Sequence, residues 1–270
     1  MIDYYYKNKK NLFFCFFVSV IVVSYGFVFW DYDSNDSVNK ITESAGKVRV
    51  GDSALTNLEY AAMIKQDGWP VEKLNTAADA NYLSDTEKNV VLAHNLIRHD
   101  PVKYADLYVA EHKKFYSGKE LRHPGVEYII LTHEGVLPAK ELYSELQSTE
   151  PLPLFYVSEK LSAAASSHAE YQSRTGETGH GGQGGLQARI EREGEWKYTI
   201  GENITYGRWS GHSAVLGLMV DDGVPGRGHR INILNEDFRV LGVASESHPV
   251  YQGDVYVIKY AGDFEDVEID

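Results

Sequence analysis

Four positions in the second half of the chain combine imidazole and carboxylate chemistry. They are His180, Glu202, the Asp221-Asp222 dipeptide and His229. His180 sits in a glycine-rich loop, Gly179-His-Gly-Gly-Gln-Gly-Gly185, where backbone can approach a ligand closely. Glu202 falls in the alternation Ile200, Glu202, Ile204, Tyr206, which puts a carboxylate on an apolar face. Such a carboxylate needs a partner, or desolvation will raise its pKa. Asp221 and Asp222 close a helical stripe of Val215, Leu218 and Met219, and acids at a helix C-terminus face the negative end of its dipole. Two neutral imidazoles and two carboxylates are a donor set for Zn²⁺ or a similar divalent cation. A closed four-ligand site would be structural, and an open one could activate water. Taken singly, each residue also has an ordinary explanation. Asp-Asp-Gly is a common helix stop, with Arg227 or Arg230 as its ion partner, and lone histidines usually pack. His168 shares a stripe with alanines and reads as packing, and nothing local supports a role for His133, His212 or His248.

Other chemistries find no support. His133-Glu134 begins like the zinc-protease HExxH motif but lacks its second histidine. There is no GxSxG nucleophile elbow and no Walker A sequence. The glycine loop matches GxGxxG by count but follows a helix, so a dinucleotide site is not indicated. No strong nucleophile accompanies the imidazoles and acids. Asn35-Asp-Ser37 and Asn203-Ile-Thr205 are formal glycosylation sequons.

The elements that must position these residues are legible in outline. Ser84-Asp-Thr-Glu87 is a capping box that starts a helix with Val90, Ala93, Leu96 and Ile97 on one side. Asp100-Pro101 interrupts it and starts a second helix through Tyr104 and Leu107. Residues 56–66 form a short helix and residues 136–148 another. Ser158 caps a helix carrying Leu161, Ala164, Ala165, His168 and Ala169 on one stripe. A strand runs from Tyr198 to Tyr206, a helix from Ala214 to Asp222, and two strands follow at Phe238–Ala244 and Val255–Ala261. Helices outnumber strands and the strands cluster late, which predicts an α+β fold with helices on both sides of a small, mainly antiparallel sheet.

The formal charge of −13 repels phosphate backbones, so nucleic acid is not an expected partner. The single cysteine, Cys15, lies in an apolar run, so the chain from Asp31 onward has neither an intrachain disulfide nor a thiolate metal site. Lys7, Lys9 and Lys10 precede an uncharged stretch from Leu12 to Trp30. Basic residues before an apolar run of that length read as an export signal or as a membrane tether through residues 12–30. Residues 31–72 read as a linker, rich in Asp, Asn, Ser and Lys through residue 55, and residues 73–270 as the folded domain.

Read in order, Asn95-Leu-Ile-Arg98-His-Asp-Pro101, Gly179-His180, Gly201-Glu202-Asn203-Ile204 and Gly228-His229-Arg230-Ile-Asn232-Ile-Leu234 resemble the CAP superfamily of cysteine-rich secretory, antigen 5 and pathogenesis-related proteins. Phe238–Val243 and Val257–Ala261 match the family's last two strands. The resemblance covers residues 73–265 and is nearest the cysteine-free microbial SCP-like branch. It implies an α-β-α sandwich and a solvent-facing cleft whose two histidines and two acids can hold a divalent cation. His180, Glu202 and His229 match three of those four positions. Family register gives Asp221 as the fourth, whereas the apolar stripe turns Asp222 inward. Leu218 stands where the family usually has tryptophan, and the loop before His229 is longer. The resemblance implies a secreted or surface-anchored module outside the cytoplasm, binding a lipid- or sterol-type ligand or a divalent metal such as zinc. A metal-dependent hydrolase or peptidase using the same cleft is the alternative, with a host- or cell-surface interaction protein whose cleft is vestigial as a third reading.

Overall fold

The computed structural model describes residues 55–124, 128–207, 210–251 and 253–268, together with the backbone of residues 5–6. The expected leader at Lys7–Trp30 and the linker up to residue 54 lie outside the described residues. Among the described residues no helix is long and apolar enough to cross a membrane.

In chain order, a two-residue strand β1 (Tyr5–Tyr6) comes first, then helices α1 (Asn57–Gln66), α2 (Val71–Leu74) and α3 (Asp85–His99). Next come α4 (Pro101–Tyr104), a π-helical turn at Ala105–Val109, α5 (Ala110–His112) and a 3-10 turn at Lys113–Phe115. Strands β2 (Tyr116–Ser117), β3 (Glu120–Leu121) and β4 (Ile130–Leu131) form a small antiparallel sheet of their own. Helix α6 (Leu137–Leu146), strand β5 (Tyr156–Val157), and helices α7 (Glu159–Thr175) and α8 (Gly185–Glu191) lead to the long strand β6 (Trp196–Gly207). Helices α9 (Gly211–Val220) and α10 (Gly228–Leu234) precede β7 (Val240–His248) and β8 (Gly253–Phe264).

The predicted capping box is formed: Ser84 Oγ accepts from the Glu87 amide while Glu87 reaches back to the Ser84 amide. Asp100 caps α4 through the Lys103 amide and Ser158 caps α7 through the Leu161 amide. The main sheet has the order β1-β6-β8-β7-β5, and only the β5–β7 pair is parallel. Alternation along β8 divides the core into layers. Tyr256, Ile258 and Tyr260 face α3 and α9, whereas Val255, Val257 and Ala261 face α7 and α8. The architecture is the α-β-α sandwich that the sequence predicts. Gly242 on β7 shows how close the α7 layer sits, because a Cβ there would lie 2.3 Å from the Leu161 carbonyl carbon.

The folded unit begins earlier than residue 73. Tyr60 and Ile64 of α1 are buried in the main core, and the Tyr60 hydroxyl bonds to His212 Nδ1 at 2.6 Å. The polar composition of residues 31–55 does not extend into this helix, whose buried side packs on α3. Several motif residues are part of the scaffold. Asn95 bonds both the amide and the carbonyl of Phe155. Arg98 is buried without a carboxylate and donates to the carbonyls of Pro153, Ile233, Asn235 and Phe238, which ties α3 to the turn between α10 and β7. Burial pushes its pKa down to about 9.

Candidate functional site

Helix α7 ends at Gly176, which takes the left-handed conformation with φ 71°. The chain then turns back under the sheet. His168 Nε2 donates to the Gly179 carbonyl at 3.0 Å, and the Gly179 amide donates to the Tyr206 hydroxyl at 2.7 Å. These bonds seat His180, whose Nδ1 donates to Glu202 Oε1 at 2.9 Å. The carboxylate accepts only, so the proton sits on Nδ1. Arg189 of α8 reaches the same oxygen at 2.8 Å, and Lys259 of β8 bonds Oε2. Glu202 and Lys259 are directly opposite each other in the β6–β8 register. Arg189 also donates to the carbonyls of His180, Gly181 and Gly182. The glycine loop therefore wraps a guanidinium of this chain, and its close backbone approach serves that contact.

This cluster is dry. The side chains of Glu202, Arg189 and Lys259 are 0% exposed and that of His180 only 4%. Burial alone would raise the Glu202 pKa, but Lys259, His180 and Arg189 outweigh it and hold the carboxyl well below its ordinary range. Burial lowers Lys259 to about 8, against the pull of Glu202.

The second pair is built differently. Asp221 ends α9 in the left-handed conformation, φ 59° and ψ 44°. Its Oδ2 accepts from the His229 amide at 2.9 Å, and its Oδ1 accepts from His229 Nδ1 at 2.7 Å. An acid misplaced at the C-terminus of α9 is thus well placed at the N-terminus of α10. The carbonyls at the end of α9 are met by arginines: Arg230 donates to Met219 and Val220, and Arg227 to Asp221. These arginines do not pair with the aspartates. Arg227 bridges Glu134 and Glu141, and Arg230 meets Glu145. Asp222 accepts from the amides of His133 and Glu134 at 2.6 and 2.8 Å. Asp221 is therefore the acid that meets His229, and Asp222 holds a loop. The His229 side chain is 12% exposed, and its Nδ1 bond leaves Nε2 as the ring position free for another contact.

The four expected positions are bonded two by two, His180 to Glu202 and His229 to Asp221. Both pairs attach to β6, the first through the Glu202 side chain and the second through the backbone of α10. Glu202 points to the α8 side, and Asn203 on the other side donates to the His229 carbonyl at 3.0 Å. Among the described residues no group of three or more His, Cys, Asp or Glu is arranged to hold a metal ion. The donor set does not fit a zinc ion shared by all four, because Glu202 arrives with two fixed cations that would oppose a divalent charge. Lys259 and Arg189 are the residues the sequence analysis missed. The signal for Lys259 was present: it interrupts Val257-Ile258-Lys259-Tyr260-Ala261 on the same apolar face as Glu202. Asn203, one of the sequon asparagines, is fully buried and bonded to the Tyr260 hydroxyl, so it is closed to glycosylation.

The family model described as "CAP: Cysteine-rich secretory protein family" matches residues 92–260. The chain belongs to the CAP family. Two solved structures are similar to parts of it. An extracellular protein containing a SCP domain from Bacillus anthracis str. Ames is 21% identical, with a TM-score of 0.33, over 46% of this chain and 37% of that one. An outer surface protein from Borrelia burgdorferi is 18% identical, with a TM-score of 0.34, over 46% of this chain and 91% of that one. The match thus spans little more than a third of the Bacillus protein. No curated protein sequence matches the chain. The family assignment rests on the family-model match, which takes in both histidine–acid pairs of this CAP domain.

Proposed function

We propose that the protein is a CAP-domain binding module working outside the cytoplasm, and that it takes a lipid- or sterol-type ligand at the His229–Asp221 pair. The observation that carries this reading is access. One imidazole–carboxylate pair is sealed among cations, while the imidazole of the other is 12% exposed and bonded to its carboxylate through Nδ1. Apolar surface is attached to the open pair. Tyr128, Ile129 and Leu131 of the β3–β4 hairpin and Leu137 at the start of α6 are exposed, Leu131 at 75%. Asp222 bonds the segment between them to the loop that carries Asp221. Exposed apolar residues grouped in this way mark interaction sites. A ligand with an apolar body and one oxygen that meets His229 Nε2 suits the arrangement. Export falls to the leader, Lys7–Trp30.

Titration of the full chain with a fluorescent sterol and with a fluorescent fatty acid tests the reading. Binding should weaken at least about tenfold in His229→Ala, which removes the polar contact. Leu131→Asp should weaken it further, and His180→Ala should leave it in place if the chain stays folded. Absence of binding for both probes, or unchanged binding in His229→Ala and Leu131→Asp, contradicts it. Hydrolysis of a peptide or ester substrate that stops on chelation would favour the hydrolase reading in its place. Deleting residues 1–30 should leave the protein in the cytosol.

A further inference from the structure

The His229–Asp221 pair also dictates which polar group a ligand must bring. A carboxylate only accepts, so the 2.7 Å bond to Asp221 Oδ1 fixes the proton of the neutral imidazole on His229 Nδ1. Nε2 is then a bare lone pair. It has no hydrogen-bond partner among the described residues, yet it is not one of their sealed, unpartnered polar atoms, so solvent reaches it. A lone pair calls for a donor. A hydroxyl supplies one, whereas a carboxylate or an ester oxygen would meet Nε2 acceptor to acceptor.

Charge points the same way. Two arginines flank His229 in the chain, and both are engaged. Every N–H of Arg227 has an acceptor, from Glu134, Glu141 or the Asp221 carbonyl. Arg230 is buried and donates to Glu145 and to the carbonyls of Pro138, Met219 and Val220. Together with Asp221 and Asp222, the three glutamates put five carboxylates against two guanidiniums in this corner. An anionic ligand would add a sixth negative charge and find no cation to meet it.

We infer that the His229 position takes a hydroxyl donor, as on a long-chain alcohol, and discriminates against the carboxylate or ester of the same chain. This selectivity presupposes that His229 meets the ligand, as proposed above. Three probes with one apolar body test it on the full chain at pH 8, above the ordinary imidazole range: pyrene-labelled dodecanol, the matching dodecanoic acid and its methyl ester. The alcohol should bind at least about tenfold more tightly than the ester, and the acid should bind most weakly. Asp221→Asn should reverse the preference. Asparagine tolerates the left-handed conformation at this position, and its one oxygen stays with the amides of His229 and Arg230 that Asp221 Oδ2 serves. Its NH₂ group then faces His229 Nδ1, which must accept, and the ring proton moves to Nε2. The ester should gain on the alcohol in that variant, and the ring-nitrogen resonances of His229 should show the change of tautomer. Acid or ester bound as tightly as the alcohol, with that binding lost in His229→Ala, would overturn the selectivity and leave the site standing. A wild-type ring proton on Nε2, or an unchanged order of probes in Asp221→Asn once its tautomer has moved, would overturn it as well. If no probe binds, or all three bind unchanged in His229→Ala, the site and its selectivity fall together.

Discussion

The His180–Glu202 cluster and the His229–Asp221 pair are made of the same two residue types, joined by the same Nδ1–carboxylate bond. Their surroundings differ in every other respect. Glu202 faces two cations inside the sandwich and has no solvent access, while Asp221 caps the first turn of α10 and holds a partly exposed His229. The difference teaches that a carboxylate beside a histidine is not by itself a site. What decides is whether the protein's own charges fill the carboxylate's remaining acceptor positions. At Glu202 they do. At Asp221 two helix amides and one imidazole take those positions, which leaves the far side of the ring available.

The sharpest way to break this contrast is to unpair the buried cluster. Lys259→Met leaves Glu202 with fewer charges to answer it in a dry site and should destabilise the fold by about 3–5 kcal/mol in urea unfolding. The double variant Glu202→Leu with Lys259→Met should recover part of that loss, although Arg189 is then left short of a partner. A single variant that costs less than about 1 kcal/mol would mean that the cluster is not the brace described here.

Acid separates the core imidazoles from the carboxylate. Burial lowers His94 to about 4 and His212 to about 3, from an ordinary value of 6.5. Unfolded chains therefore take up protons below pH 6.5 that these two residues refuse while folded. The stability they contribute is complete above pH 6.5 and is lost as pH falls towards their folded values. By pH 5.5 each should have cost about 1.4 kcal/mol. Glu202, held below its ordinary value of 4.5, adds its own loss only beneath that pH. Denaturation midpoints measured from pH 8 to pH 4 should show the first decline near pH 6.5, and a flat profile down to pH 5 would contradict it.

The open pair should respond on a smaller scale. Asp221→Ala removes the α10 cap and the bond that orients His229, with an expected cost of about 1–2 kcal/mol. His229→Ala leaves Asp221 Oδ1 without its imidazole and should cost about 1–2 kcal/mol, while removing the sterol or fatty-acid binding proposed above. A large loss of stability in His229→Ala would place that residue in the scaffold with His180.

Much of the fold was legible because its signals are local. Ser84 with Glu87 and Ser158 before its alanine-rich stripe announce helix starts through hydrogen bonds made within one turn. The alternation in β6 placed Glu202 on an apolar face without reference to any other element. Helix α1 was seen but left in the linker, because its place in the core depends on His212, a residue far along the chain. The need of Glu202 for a partner was legible, and the identity of that partner was not. Glu202 plainly needed a charge, but whether histidine, metal, arginine or lysine supplies it is fixed by the β6–β8 register and by how α8 packs. The helical stripe turned Asp222 inward, but the chain leaves the helix at Asp221 in a left-handed turn, and Asp221 is the acid that is buried.

The central claim is that the four positions divide into a buried brace and an open pair. Zinc titration of the full chain, followed by the ring-nitrogen resonances of His180 and His229, tests it most directly. The account predicts that His180 stays unmoved at every zinc concentration while His229 alone responds, weakly. Both rings moving together at one equivalent of zinc, with the response lost in Glu202→Gln that remains folded, would contradict it.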